Sequence, residues 1–314
     1  MPQNGQGTLA ALVGGTPLIE LNGLSPHPGV RLFAKLEGQN PSGSVKDRIA
    51  IAMLDAAELR GAIQPGATLV EASTGNTAIA LAALAPRRGY RVRVVLPKGI
   101  VPSVADILDL YGAEIEWCEP EAGMRGAIGR VQELARQPGY YAVGQFSDPA
   151  NVLCHYATTG EEIVRAMGET AVDVFVAGIG TGGTITGVAR RLREQWPDVQ
   201  VVGVEPRLGE RLQGLRSLSE GYIPPLLDLG MLDRRFLVDS ASAIAAAREV
   251  MRAEGVFAGV SSGAALHTAL RVAEGMERGN IVMMFSDGAW KYLPSRPWDA
   301  TGADAEALDE VHWW

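Results

Sequence analysis

The sequence predicts an α/β protein with mostly parallel sheets, and three observations support this. Short apolar runs rich in β-branched residues recur at residues 68–71, 92–96, 114–118, 140–143, 172–177, 201–204 and 281–285. Helix-sized segments separate most of them, at residues 77–84, 104–110, 126–135, 184–193 and 241–254. This alternation is typical of parallel sheets covered by helices. Several runs also end in glycine- or hydroxyl-rich turns, and in open α/β sheets ligands bind outside those strand ends.

The first helix is predicted by apolar residues at intervals of four, namely Val45, Ile49, Met53 and Ala57. Lys46 lies about one residue off that apolar face, in the segment Asn-Pro-Ser-Gly-Ser-Val-Lys-Asp-Arg that ends at residue 48. A helix N-terminus disfavours an ammonium, and partial burial does the same, so this amine is a candidate nucleophile for an aldehyde. The alternative is a charged first turn without chemistry.

A run of small polar residues follows the strand predicted at residues 68–71 and opens the next helix. It reads Ser-Thr-Gly-Asn-Thr at residues 73–77. Its hydroxyls and backbone donors suit a carboxylate, which a helix N-terminus also stabilises. Helix capping by Ser73 or Thr74 explains a single hydroxyl, but not the whole run.

A glycine-rich loop follows the strand predicted at residues 172–177. It reads Gly-Ile-Gly-Thr-Gly-Gly-Thr at residues 178–184, and its backbone N–H groups can converge on an anion at the start of the next helix. The same loop also fits the G-x-G-x-x-G pattern of dinucleotide sites, with Glu205 as the ribose-binding carboxylate. That alternative offers no role for Lys46. A last loop, Val-Ser-Ser-Gly at residues 260–263, precedes a helix predicted at 264–274 and by itself is no more than a helix cap.

Composition excludes several classes of function. The 314 residues carry a net charge of −8 and no stripe of basic residues with aromatics, which disfavours nucleic acid and anionic membranes as partners. Cys118 and Cys154 have no metal-ligand spacing, and both are expected to be free thiols in a reducing compartment. Residues 1–5 lack a basic start or an apolar run, and no segment is long enough to cross a bilayer, so we expect a soluble cytoplasmic protein.

Together, the loops at residues 40–48, 73–77, 178–184 and 260–263 resemble those of the pyridoxal-phosphate enzymes of the tryptophan-synthase-β fold (fold type II). The chain looks most similar to the cysteine synthases, which are O-acetylserine or O-phosphoserine sulfhydrylases, and especially to their B-type branch. The resemblance covers residues 11–295. It implies two domains, each an open mostly parallel sheet flanked by helices.

The resemblance also assigns roles to single residues. Lys46 would form the internal aldimine with pyridoxal phosphate and then act as acid and base at the substrate α-carbon. Asn76 would bond the 3′ oxygen of the cofactor, and Ser261 would face its pyridine nitrogen. The cofactor phosphate would be held by Gly180, Thr181, Gly182, Gly183 and Thr184. The substrate carboxylate would be held by Ser73, Thr74, Thr77 and Gln145.

Arg216 lies in a segment similar to one that carries an arginine in the B-type and phosphoserine-using enzymes. A guanidinium binds phosphate through charge-assisted, bidentate hydrogen bonds, so Arg216 is a candidate selector of O-phosphoserine over O-acetylserine. A surface or interface arginine is the alternative.

The function implied is β-replacement that makes L-cysteine from an activated serine and a sulfur donor, through an aminoacrylate intermediate. The sulfur source stays open between sulfide, thiosulfate and the thiocarboxylate of a sulfur-carrier protein. The order Ser73-Thr74 and the methyl of Ala78 depart from the sulfhydrylase pattern. They leave cystathionine β-synthase, diaminopropionate synthase and serine/threonine deaminase as alternatives within the fold. Outside it stand a nicotinamide-dependent oxidoreductase and a catalytically silent binding module.

The domain arrangement expected from the family is a small mobile domain at residues 41–146 and a large cofactor-binding domain at residues 1–40 and 147–300. Such a protein is usually a homodimer. Residues 301–314 form an acidic C-terminal tail that ends in Trp313-Trp314. The alternatives for this tail are docking, at the mouth of the cleft or on a partner, and a frayed end.

Overall fold

Two mostly parallel sheets covered by helices make up the computed structural model, which describes residues 8–73, 75–98, 102–119, 123–210 and 212–299. The strands are β1 (Leu18–Glu20), β2 (Val30–Leu36), β3 (Thr68–Ala72), β4 (Arg91–Pro97), β5 (Glu114–Cys118), β6 (Tyr140–Ala142), β7 (Val174–Gly178), β8 (Gln200–Pro206), β9 (Arg234–Val238) and β10 (Gly279–Phe285). The helices are α1 (Lys46–Leu59), α2 (Asn76–Leu84), α3 (Pro102–Leu110), α4 (Gly123–Leu134), α5 (Ala150–Cys154), α6 (Glu161–Met167), α7 (Gly183–Gln195), α8 (Ser240–Glu254) and α9 (Val260–Ala273).

The larger sheet has the strand order β1-β2-β10-β7-β8-β9, and all its neighbours are parallel except β1 and β2. The smaller sheet has the order β5-β4-β3-β6 and is parallel throughout. The predicted α/β class is therefore confirmed. Among the described helices, none is long and apolar enough to span a membrane.

Both faces of each sheet are covered, as the near-continuous apolar strands require. In β10, Ile281 and Met283 pack in one core with α8 and α9, whereas Val282 and Met284 pack in another core with α7. The smaller sheet packs one face against α1, α2 and α3 and the other against α4. Ala289 and Tyr292 follow β10 in sequence yet pack in the core of the smaller sheet, so the segment after β10 bridges the two sheets.

The seven predicted strands correspond to β3–β8 and β10. Sequence patterning missed β1, β2 and β9. In β2 the exposed Arg31 and the buried Lys35, which is paired with Glu162, both interrupt the apolar run. One boundary was wrong: α9 begins at Val260, directly after extended Gly259, so Ser261 lies in the first turn of the helix and not in a preceding loop.

Cys118 and Cys154 are both thiols and form no disulfide within the described residues, as the sequence predicted. Cys154 Sγ lies 3.9 Å from Thr158 Oγ1 in the turn after α5. Burial raises the pKa of the Cys154 thiol to about 11, which makes it a poor nucleophile at neutral pH.

Candidate active site

A cleft with about 930 Å³ of empty space lies between the two sheets, at the carboxyl ends of β3, β7 and β10. Several predicted site residues line it together, although they are far apart in sequence. These are Lys46, Ser73, Asn76, Thr77, Gln145, Gly180, Thr181, Gly182, Thr184, Arg216 and Ser261. Gly183 does not line the cleft, and Thr74 lies outside the described residues.

Lys46 is the first residue of α1, and the turn before it is fixed to the end of β10. The backbone N–H of Val45 donates to the carbonyl of Ser286 at 2.8 Å, and Ser44 pairs with Asp287 in an isolated antiparallel bridge. Burial lowers the pKa of the Lys46 amine to about 8; the ammonium of Lys291 acts in the same direction, while the charge of Asp287 opposes the shift. A large share of this amine is therefore neutral, and nucleophilic, at mildly alkaline pH.

Asp47 and Arg48 of the predicted charged turn are buried rather than solvated. The Asp47 carboxylate accepts hydrogen bonds from the backbone N–H of Ser42 at 2.7 Å and from the Ser42 hydroxyl. Arg48 donates to Glu37 at 2.6 Å and to Glu162 at 2.7 Å. The residues that follow Lys46 thus anchor the start of α1, and the charged first turn is buried.

The glycine-rich loop connects β7 to α7, and its glycines are required by close contacts. A Cβ on Gly180 would come within 2.5 Å of the carbonyl oxygen of Gly214. Gly182 has φ +85°, and a Cβ there would come within 2.6 Å of the backbone of Leu227. A Cβ on Gly183 would overlap Asn151, which explains why Gly183 packs beneath the cleft surface. The loop therefore presents bare backbone at the N-terminus of a 13-residue helix, an environment that favours an anion.

His155, which sequence reasoning missed, lies behind this loop in a π-helical segment from His155 to Gly160. Its Nε2 is 3.1 Å from Thr184 Oγ1 and its Nδ1 is 3.0 Å from Thr159 Oγ1. Burial, together with the nearby charges of Lys46 and Arg48, holds the pKa of His155 well below its ordinary value, so the imidazole is neutral. A neutral ring can orient the Thr184 hydroxyl without adding charge.

Asn76 opens α2, and two residues beyond β10 hold both ends of its side-chain amide. Its Nδ2 donates to Asp287 at 2.8 Å, and its Oδ1 accepts from the ammonium of Lys291. Asp287 and Lys291 are both buried. Sequence reasoning missed both, although Asp287 lies in the turn after the strand predicted at residues 281–285, and a polar turn at a strand end is the signal that identified the other loops.

Among the residues predicted to bind a carboxylate, Thr77 bonds another side chain, whereas Ser73 bonds backbone N–H groups. Thr77 donates its hydroxyl to Gln145 Oε1 at 2.6 Å. Ser73 Oγ accepts from the backbone N–H of Ala78 at 3.3 Å and of Gly75 at 3.4 Å, so this hydroxyl also caps the start of α2.

Glu71, another residue that was missed, holds the loop that carries Gln145. Its carboxylate accepts from the backbone N–H groups of Gly144 at 2.9 Å and Gln145 at 3.2 Å. Burial raises the pKa of Glu71 to about 7, against the opposing effect of these hydrogen bonds.

Ser261 and Arg216 reach the cleft from the larger-sheet side. Ser261 is buried in the first turn of α9. The Arg216 guanidinium lies 4.8 Å from the centre of the Phe146 ring and 5.5 Å from that of Tyr222. These aromatic faces hold a guanidinium at the cleft, where a charged substituent of a ligand could reach it.

Glu205 is not placed to bind a ribose, as the dinucleotide-binding alternative requires. Its buried carboxylate accepts from the backbone N–H of Leu218 at 2.5 Å and from Arg235 at 3.1 Å, and it is not among the residues that line the cleft. The glycine-rich loop consequently lacks the ribose-binding partner of a nicotinamide site.

A lysine amine, an anion cradle at a helix N-terminus and a ring of polar side chains define the cleft as the site of a cofactor-dependent enzyme. The chain belongs to the pyridoxal-phosphate dependent enzyme family, whose family model matches residues 9–287. The nicotinamide alternative is thereby overturned. The residues fit this cofactor: Lys46 offers an amine with a lowered pKa for its aldehyde, and the glycine loop offers a cradle for its phosphate.

Known relatives cover nearly the whole chain. It is 37% identical over 301 residues to a cysteine synthase of Staphylococcus aureus, covering 93% of this chain and 97% of that one. It is 40% identical over 286 residues to cysteine synthase B of Escherichia coli, covering 91% and 94%. The solved structure of an O-ureido-L-serine synthase matches with a TM-score of 0.89 at 33% identity, covering 97% of this chain and 99% of that one.

Proposed function

We propose that the chain is a pyridoxal-phosphate-dependent cysteine synthase, which replaces the β-substituent of an activated serine with sulfur to make L-cysteine. The observation that carries the proposal is the meeting of Lys46 with the glycine-rich loop in one cleft. The identity of 37–40% to cysteine synthases over most of the chain supports the reaction class. When bound, pyridoxal phosphate supplies an electron sink for the α-carbon of an amino acid.

In this proposal one set of residues binds the cofactor and another binds the substrate. Lys46 holds the cofactor aldehyde and moves a proton at the substrate α-carbon. The loop of Gly180, Thr181, Gly182, Gly183 and Thr184 holds the phosphate, Asn76 donates to the 3′ oxygen, and the Ser261 hydroxyl faces the ring nitrogen. Ser73, Thr74, Thr77 and Gln145 bind the substrate carboxylate. The Thr77–Gln145 hydrogen bond and the Glu71 carboxylate support this part of the site by fixing the Gln145 side chain and backbone.

Cofactor spectroscopy and product analysis test the proposal. The purified chain is expected to show the visible absorbance of bound pyridoxal phosphate, and Lys46→Ala is expected to abolish it. Mixing the chain with O-acetylserine, O-phosphoserine or serine, each with sulfide, should yield L-cysteine from one of these donors. Cystathionine from homocysteine, diaminopropionate from ammonia, or a keto acid without sulfur would instead identify one of the alternative activities. A parent chain that lacks this absorbance, or an absorbance that persists in Lys46→Ala, would overturn the proposal.

We further propose that Arg216 selects O-phosphoserine. Its guanidinium is held over Phe146 and Tyr222 at the cleft, where charge-assisted bonds to a phosphate leaving group are stronger than those to a neutral ester. Arg216→Ala should lower kcat/KM for O-phosphoserine by about tenfold or more and leave that for O-acetylserine nearly unchanged. Arg234→Ala, which removes an exposed arginine stacked on Phe236 in β9, is the matched control. An unchanged donor preference in Arg216→Ala would contradict this assignment.

The proposed assembly is a cytoplasmic homodimer in which a small domain at residues 41–146 closes over the substrate. Closure would exclude water from the reacting carbon. The smaller sheet supports this division, since its strands fall between residues 68 and 142. Light scattering in solution tests the dimer. Hydrogen exchange with and without an amino-acid donor tests the closure, which predicts protection at the cleft edge of the small domain.

A further inference from the structure

We propose that Lys291 is a positioning residue that fixes the orientation of the Asn76 side-chain amide, so that the amide N–H groups rather than the carbonyl oxygen serve the cofactor. The inference rests on the proposed role of Asn76 toward the 3′ oxygen of pyridoxal phosphate. Lys291 does not line the cleft, so it can act on the cofactor only through its neighbours.

The contacts join four side chains around one carboxylate oxygen. Lys291 is 2% exposed, and its ammonium donates to Asn76 Oδ1 and to Asp287 Oδ2. Asn76 Nδ2 donates to the same carboxylate oxygen at 2.8 Å. Tyr292 also donates its hydroxyl to this oxygen, at 3.0 Å. The Asn76 amide thus has a cation at its oxygen end and an anion at its nitrogen end.

This arrangement permits one orientation of the amide. An ammonium can only donate hydrogen bonds, and a carboxylate can only accept them. A flipped Asn76 would direct its NH₂ group at the Lys291 ammonium and its carbonyl oxygen at the Asp287 carboxylate, and both contacts would be repulsive. The amide nitrogen carries two N–H groups, and among the described residues only Asp287 accepts from it. One N–H therefore stays available on a side chain that lines the cleft.

The orientation matters because the 3′ oxygen of the cofactor can carry negative charge. An N–H group stabilises such an oxygen, whereas an amide carbonyl would repel it. Burial lowers the pKa of Lys291 and so disfavours its charged form. A buried ion pair also adds little net stability, so stability alone does not explain this residue. The chain also makes room for the ion pair: a Cβ on Gly259 would come within 2.0 Å of Asp287 Oδ1.

The competing explanation is an ion pair that supports only the local fold, and a double-mutant cycle separates the two. The affinity of the full-length, cofactor-free chain for pyridoxal phosphate is measured by fluorescence titration for Lys291→Met, Asn76→Ala and the double variant. We expect Lys291→Met to weaken binding by about ten- to a hundredfold in the parent chain. In the Asn76→Ala background the same change should weaken binding by less than about threefold, because the side chain through which Lys291 acts is gone.

An equal loss in both backgrounds would overturn the inference, because Lys291 would then act without Asn76. Loss of affinity in Asn76→Ala together with parental affinity in Lys291→Met would overturn this inference alone. Parental affinity in Asn76→Ala would overturn the proposed role of Asn76 and this inference with it, whereas a failure of the proposed function would appear as loss of specific binding in the parent chain.

Folding is controlled by a neutral variant. Lys291→Met leaves Asp287 buried without a counter-charge, which could unfold the chain. Lys291→Met/Asp287→Asn removes both charges and should retain the circular dichroism of the parent. We expect this variant still to bind pyridoxal phosphate about tenfold more weakly, because neither an ammonium nor a carboxylate orients Asn76. Parental affinity in the folded neutral variant would also overturn the inference.

Discussion

Lys46 is surrounded by charges of both signs, and its pKa is the outcome of their competition with burial. Removal of water lowers the pKa of the amine, Asp287 raises it, Lys291 lowers it and Glu37 raises it, with a net result of about 8. The ordinary value for the side chain is 10.5. The folded state therefore releases a proton that the unfolded chain still holds between these two values. Through this group, stability rises with pH across that interval.

The same shift predicts the pH dependence of cofactor capture, because only the neutral amine attacks an aldehyde. The rate at which the cofactor-free chain binds pyridoxal phosphate should rise with pH, with a midpoint near 8. Stopped-flow absorbance over a pH series measures it, and Lys46→Ala provides the background of capture by other lysines. A midpoint near the ordinary lysine value of 10.5 would show that the site does not tune this amine.

At the scale of the element, the link between β7 and α7 depends on glycine for two separate reasons. Gly182 has φ +85°, and the backbone of Leu227 lies where a Cβ on this residue would be. Gly209 has nearly the same φ, +86°, but nothing within 4 Å of its Cβ position, so it isolates the conformational cost. Both alanine variants should lose about 1–2 kcal/mol of unfolding free energy from the left-handed backbone.

The clash at Gly182 should add a loss of function that Gly209 does not share. Gly182→Ala must displace the loop from Leu227, and we expect its affinity for pyridoxal phosphate to fall by about tenfold or more, equivalent to about 1.4 kcal/mol. Gly209→Ala should bind within about twofold of the parent. Equal affinities in the two variants, measured by equilibrium titration, would mean that the loop does not hold the cofactor phosphate.

Elements of this kind were accessible from sequence because each combines an apolar strand with a polar turn that starts a helix. Asn76 and the glycine-rich loop follow that rule, whereas Lys46 was identified from the four-residue apolar spacing of the helix that it begins. Lys291 and His155 could not be found in the same way. Lys291 contacts Asn76 across 215 positions of the chain, and His155 contacts Thr184 across 29. A buried polar residue whose partner is set by the tertiary fold carries no local pattern, and Lys35 even obscured the strand that contains it.

At the scale of the whole molecule, Arg48 connects the helix that carries Lys46 to the larger sheet. Arg48 lies on α1, Glu37 follows β2, and Glu162 lies on α6. Arg48 is 3% exposed and Glu37 is fully buried. Lys35 of β2 joins the cluster through Glu162 at 2.6 Å. If residues 41–146 close as proposed, the first turn of α1 has to remain with the larger sheet, and the reactive amine would stay fixed while the rest of the small domain moves.

This cluster predicts a large and specific loss of stability. Arg48→Met leaves two carboxylates without their shared guanidinium, and we expect a loss of about 3–5 kcal/mol in unfolding free energy. Arg165→Ala breaks an exposed pair with Glu161 on α6 and should cost about 0.5 kcal/mol or less. Urea unfolding monitored by circular dichroism measures both. A similar small loss in the two variants would mean that the buried cluster contributes no more than a surface pair.

The pH dependence of the same unfolding experiment identifies the groups responsible. Burial alone would raise the pKa of Glu162, but hydrogen bonds from Arg48 and Lys35 lower it to about 2 from an ordinary 4.5. A carboxyl with a depressed folded-state pKa stabilises the fold fully above its ordinary value and loses that contribution as the pH falls toward 2. The parent chain should therefore lose stability over this interval more steeply than Arg48→Met, in which Glu162 retains Lys35 and the backbone N–H of Gly15 but loses Arg48. Parallel pH profiles for the two proteins would show that Arg48 does not lower the pKa of Glu162. The attachment of α1 to the larger sheet would then have to arise from packing alone.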